Sequence, residues 1–301
     1  MIVHSGMPVQ LQAQPACEVN AELGEGPVWV SREAALWFVD IRGEQLHRYD
    51  PATREHATWS TPDTPGFIVP VRGGGFLVGL KSGLCRFEPA SGEFTHYGRV
   101  EPHAPDNRLN DGTVGVDGAL WFGSMDDLET SPSGALYRLD AGAHPVALDT
   151  GYVITNGPAF SPDGKVFYHT DTVNRTVYAF DHLETGTLTR KRVFVRIEEG
   201  GGHPDGTAVD AEGGVWIALW GGWGVRRYSP QGELLTRVRF ECANVTKIAF
   251  GGGDRCTAFA TTAWKGLTEA ERAAQPRAGD LFQFRTDVPG LPSRELSLPG
   301  V

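Results

Sequence analysis

One pattern recurs six times along this chain and limits its folds more than any other feature. An apolar strand is followed by a polar turn, a second strand with an aromatic residue, and a turn rich in Asp, Pro or Gly. The copies are ALWFVDIRGEQLHRYDPATRE from Ala35, GFLVGLKSGLCRFEPASGEF from Gly75 and GALWFGSMDDLETSPSGALYRLDAG from Gly118, then KVFYHTDTVNRTVYAFDHLETG from Lys165, GVWIALWGGWGVRRYSPQGE from Gly214 and CTAFATTAWKG with GDLFQFRTD from Cys256. Their starts lie 40, 43, 47, 49 and 42 residues apart. A further short strand precedes each copy: GPVWV, FIVPV, GTVGV, GPAFS, GTAVD and TKIAF. A weaker fourth follows, as in HATWS at His56, FTHYG at Phe94, KRVFV at Lys191 and LTRVRF at Leu235. Four strands per repeat at this period describe a propeller blade. The pattern predicts an all-β, six-bladed β-propeller: one domain over 1–301, with blades beginning near 26, 67, 112, 157, 206 and 246. The stretch near 11–23 is expected to complete the last blade and close the ring. A sandwich or barrel is the competing fold, but an accidental period would not survive six copies. GLTEAERAAQ at Gly266 is the one helical stretch, an insertion in the last blade.

Composition fits this reading. Gly (39) and Pro (20) make up about a fifth of the 301 residues, as many tight turns require. The net charge of −10 argues against a surface for phosphate backbones, so no nucleic-acid partner is expected. No apolar run approaches the roughly 18 residues of a membrane-spanning helix, and MIVHSGMPVQLQAQP lacks the basic and apolar regions of a signal peptide. Cys17, Cys85, Cys242 and Cys256 are scattered and read as reduced core thiols, hence a cytoplasmic protein with no membrane partner. A propeller buries its own core, which favours a monomer.

The first strand of each blade is innermost, so the residues just before these six strands meet at the axis. They are Gly24-Glu25, Pro65-Gly66, Asn110-Asp111, Thr155-Asn156, Pro204-Asp205 and Asn244-Val245. Glu25, Asn156 and Asp205 offer three oxygen donors, with Asn110 close by. Two carboxylates and an amide suit one hard divalent ion, Ca²⁺, Mg²⁺ or Mn²⁺, with Zn²⁺ and Fe²⁺ also compatible. Three protein ligands leave positions for water and substrate. Asn-Gly and Asp-Gly are also ordinary turn dipeptides, but Glu25 is a poor turn residue. Lys247 follows a blade start and either points inward or is solvated. His203, Trp220 and Trp223 are weaker channel candidates, and His169 and Asp171 are expected to fix a blade turn. No GxSxG is present, and Ser161 of SPDG reads as a turn serine.

LGEGPVW at Leu23, NRLNDG at Asn107, WFGSM at Trp121, TNGPAFSPDG at Thr155 and PDGTAVDAEGGVWIALW at Pro204 resemble the senescence marker protein (regucalcin) and gluconolactonase family, over nearly the whole chain. The resemblance implies a six-bladed propeller with one divalent metal, its ligands falling on Glu25, Asn156 and Asp205. It implies substrate-binding roles for Arg108 and Asn110. FYHTDT, KRVFV, ALWGGWG and NVTK resemble bacterial pentonolactonases, of the xylonolactonase and arabinonolactonase type. An acidic substrate contact of the animal members falls on Leu128 when counted without gaps, so Asp126, Asp127 or Glu129 is the counterpart only after a local shift. The function implied is hydrolysis of a sugar lactone, a pentonolactone before gluconolactone, with Asp205 as catalytic base. The competing readings are a non-catalytic calcium- or protein-binding propeller, or an esterase acting on another ester.

Overall fold

The computed structural model describes residues 6–298. The first five and last three residues lie outside the described residues, and with them part of the stretch read for a signal peptide and the ends of the 1–301 span. Six antiparallel sheets stand around one axis as a six-bladed β-propeller. Their innermost strands are Gly24–Val30, Pro65–Pro70, Asn107–Val114, Thr155–Phe160, His203–Val209 and Asn244–Gly251, in blades 1 to 6. The outermost strand of blade 6 is Gln14–Cys17, antiparallel to Leu281–Arg285. Val9–Gln12 adds a parallel fifth strand to blade 5, which the repeat did not predict. The short helix Glu269–Ala274 lies between two strands of blade 6, capped by Thr268 and Glu271.

Aromatic side chains on the apolar strand that opens each copy, the second strand of the blade, have a common destination. Among the described residues there are six buried hydrophobic clusters, each built mainly from two neighbouring blades. Trp37 packs on Phe76 of the next blade at 4.4 Å between ring centroids, Trp121 on Phe160 at 5.4 Å, and Trp216 on Phe250 at 5.9 Å. Phe259 stacks on Trp29 at 5.8 Å and joins blade 6 to blade 1. The repeated ring is therefore inter-blade mortar, and truncating one to Ala costs about 3–5 kcal/mol.

Two local expectations change. His169 does not fix a turn: it is fully buried against Tyr152 and Phe167, and neither ring nitrogen has a hydrogen-bond partner. Asp171 does brace its turn, accepting from Asn174 Nδ2 at 2.8 Å. Of the four free thiols only Cys85 and Cys242 are buried; Cys17 and Cys256 are half-buried.

Candidate active site and metal centre

All six innermost strands break register with their neighbour at the leading end. The breaks fall between Glu25 and Val28, Pro65 and Phe67, Leu109 and Gly112, Asn156 and Ala159, Pro204 and Thr207, and Val245 and Lys247. A bulge re-aims side chains, and here four bulges carry an acid or amide followed by glycine: Glu25-Gly26, Asp111-Gly112, Asn156-Gly157 and Asp205-Gly206. Gly26 and Gly157 share φ +56, a region that favours glycine. Blade 2 contributes nothing because a Cβ on Gly66 would lie 2.2 Å from the carbonyl oxygen of Leu109.

Glu25, Arg108, Asn110, Asn156 and Asp205 all line one cavity of about 260 Å³ at this end of the axis. Glu25 and Asp205, 180 residues apart in sequence, face each other closely enough for each to shift how firmly the other holds a proton. Burial pushes the Glu25 carboxyl up to about 7, with the Asp111 carboxylate adding to the rise. Burial and the facing Glu25 push Asp205 well above the usual carboxylate range. Asn156 donates Nδ2 to Thr172 Oγ1 at 2.9 Å, and its Oδ1 accepts from Asn110 Nδ2, also at 2.9 Å. Glu25, Asp205 and Asn156 thus line one cavity and offer it only oxygen acceptors, donors of the kind a hard cation takes.

Asp111 precedes a glycine at the leading end of its strand, as Glu25, Asn156 and Asp205 do, and is only 1% exposed. It accepts from Gly157 N at 2.8 Å and forms an ion pair with Lys247 Nζ at 2.5 Å. Lys247 therefore points inward. The axis thus gathers three acidic side chains, Glu25, Asp111 and Asp205, around one ammonium, with the Arg108 guanidinium in the same cavity as Glu25 and Asp205.

Arg108 is held by three contacts. Its Nη1 donates to Asn110 Oδ1 at 2.5 Å and to the Leu109 carbonyl at 3.2 Å, and its Nε lies 3.2 Å from Asp127 Oδ1. Burial and nearby Arg42 lower the guanidinium to about 10, which leaves it charged at neutral pH. Among the described residues Nη2 meets no acceptor. Both N–H groups of Asn110 are used inside the protein, on Thr155 O and Asn156 Oδ1.

The three acidic candidates after Met125 separate cleanly. Asp126 holds its own turn through the Thr130 and Ser131 amides, and Asp127 pairs with Arg42, Lys81 and Arg108. Only Glu129 lines the cavity, where it pairs with Lys265 across the mouth; Leu128 is exposed to solvent. His203 lines the cavity with Nδ1 on Thr172 O at 3.1 Å, and Trp220 joins it. Trp223 stands half exposed, away from the lining residues. Sequence reasoning passed over Asp111, although its place before Gly112 matches Glu25 before Gly26. The Lys265–Glu129 pair left no trace in the repeat.

Comparison with known proteins gives a consistent picture. The profile described as SMP-30/Gluconolactonase/LRE-like region matches residues 23–264. L-arabinolactonase of Azospirillum brasilense is 36% identical over 285 residues, covering 93% of this chain and 94% of that protein. Pentonolactonase of Haloferax volcanii is 33% identical over 281 residues, covering 91% and 94%. A solved structure of regucalcin, a calcium-binding protein of Agrobacterium tumefaciens, superposes with TM-score 0.91 at 28% identity, covering 96% of this chain and 99% of that one.

Proposed function

Because this chain belongs to the SMP-30/gluconolactonase/LRE-like family, we propose that it hydrolyses a sugar lactone, a pentonolactone in preference to gluconolactone, at one divalent ion held by Glu25, Asn156 and Asp205. The observation that carries this reading is the meeting of two buried carboxylates and a braced amide oxygen in a cavity also lined by Arg108. Relatives named L-arabinolactonase and pentonolactonase support the reaction class.

The chemistry such an ion supplies is Lewis-acid polarisation of the lactone carbonyl. Asp205 accepts a proton from the water that attacks the carbonyl carbon, and the proton is returned to the ring oxygen as the C–O bond breaks. Arg108 Nη2 donates to sugar hydroxyls. Asn110 offers its remaining Oδ1 lone pair to one hydroxyl and spends its N–H groups orienting Asn156. The reading extends to one domain over 1–301 acting as a cytoplasmic monomer. Among the described residues no helix is long and apolar enough to cross a membrane.

The test is release of acid from a panel of five- and six-carbon aldonolactones, after chelation and addition of Ca²⁺, Mn²⁺, Mg²⁺, Zn²⁺ or Fe²⁺ singly. Faster turnover of the five-carbon lactones is expected. No turnover of any lactone by metal-loaded protein would sink the reading. It would favour the second one, a non-catalytic cation binder, to which the calcium-binding regucalcin relative points.

A further inference from the structure

The axis carries a charge that none of the proposed chemistry uses. Lys247 reaches the centre from blade 6, and its ammonium lies 2.5 Å from Asp111 Oδ1 of blade 3. Both are buried, at 7% and 1% exposure. Space is kept for the lysine stem: a Cβ on Gly206, next to Asp205, would lie 2.4 Å from Lys247 Cβ and Cγ. Asp111 is held further by the amides of Gly112 and Gly157, each at 2.8 Å. The second of these fixes the bulge that presents Asn156. Lys247 also lines a separate cavity of about 150 Å³ at the opposite end, covered by Leu291–Arg294. The ion pair thus stands between the two cavities. The other cation at the site, Arg108, lies 3.2 Å from Asp127, a carboxylate it shares with Arg42 and Lys81.

We propose that the Asp111–Lys247 pair sets the valence of the metal centre. Once a cation has displaced the proton held by Glu25 and Asp205, these two and Asp111 carry three negative charges of which Lys247 offsets one, and this balance favours a divalent ion over a trivalent one. Lys247 is a positioning residue that acts through charge and through Asp111, and it touches no substrate. The inference rests on the metal-dependent reading of the site.

The test uses the full chain after chelation and measures binding of Ca²⁺ and of Tb³⁺, a trivalent ion of similar size. Removing the ammonium in Lys247→Met leaves three uncompensated charges. Its preference for Tb³⁺ over Ca²⁺ should rise by on the order of tenfold or more, while Lys247→Arg keeps the wild-type ratio. Removing the carboxylate in Asp111→Asn leaves one, and Ca²⁺ affinity should fall by a similar factor. The double variant Asp111→Asn/Lys247→Met restores the balance, and its Tb³⁺/Ca²⁺ ratio should return to the wild-type value. A lysine that serves only as packing would not move that ratio. An unchanged ratio in folded Lys247→Met, or no return in the double variant, overturns the inference. If Lys247→Met does not fold, unchanged Ca²⁺ affinity in Asp111→Asn overturns it instead. Wild-type protein that binds neither ion would overturn the metal reading itself, a result distinct from binding without charge selection.

Discussion

Asn110 donates its side-chain Nδ2 to Asn156 Oδ1 at 2.9 Å, so an amide of blade 3 fixes the orientation of an amide of blade 4. With Thr172 holding the other end of Asn156, that oxygen keeps one lone pair for the cavity. Asn110→Ala removes the brace and also leaves Thr155 O without its donor. Metal affinity, read by calorimetry, should fall by about 10–100-fold, as when other groups that orient metal ligands are lost. Affinity within threefold of wild type would show that Asn156 orients itself.

Asp205→Asn keeps the shape of the side chain and removes the proton acceptor. Acid release from a pentonolactone should slow by at least about 10²-fold under saturating metal. A rate near that of wild type would rule Asp205 out as the base.

Metal binding should be pH-dependent, with a sign that follows from the raised Glu25 and Asp205 carboxyls. Below about pH 7 Glu25 holds a proton that a cation must displace, so affinity weakens as pH falls from 8 to 6 and a proton is released on binding. Calorimetry in buffers of different ionisation enthalpy counts that proton. Metal at 100 times its dissociation constant should stabilise the fold by about 2.7 kcal/mol over the chelated protein. Affinity independent of pH would contradict this picture.

His47 and His169 predict an acid weakness of the fold that has nothing to do with the site. Burial lowers both to about 3, and His56 beside His47 adds to the effect. An unfolded histidine titrates near 6.5, so below that pH the unfolded chain binds protons the native one refuses, and stability falls as pH drops from about 6.5 towards 3. Each histidine contributes a slope of about 1.4 kcal/mol per pH unit in that window. His169→Leu should lower the slope by about 1.4 kcal/mol per pH unit in urea unfolding while leaving lactone turnover unchanged. An unaltered slope would show that His169 is not its source.

The repeat made blade number, blade starts and the inter-blade aromatics legible, because each blade must satisfy the same packing and so repeats the same residue classes. It also put Glu25, Asn156 and Asp205 in equivalent positions, and the structure gathers them in one cavity. The two-residue bulge was not legible. A linear pattern does not say which of Asn110 and Asp111 faces the axis, and each proves to bond to blade 4 in its own way. Contacts such as Lys265 with Glu129 were out of reach because they depend on how loops of distant blades lean, which no period records. His169 was misjudged because the polar Thr170-Asp171-Thr172 that follow it read as a turn, whereas in space its ring packs on Phe167, two residues before it, and on Tyr152 of blade 3.

The two strands at Val9–Gln12 and Gln14–Cys17 attach to blades 5 and 6, with Ala13 N bonded to Arg239 O between them. Such pairings span more than two hundred residues, and contacts of that separation form late and slowly because the loop they close must first lose its freedom. Lys247 rides on the innermost strand of blade 6, whose outer edge waits for this clasp. The axial charge of Lys247 and a pairing across more than two hundred residues thus belong to one sheet, so the centre of the ring and the start of the chain are joined through blade 6.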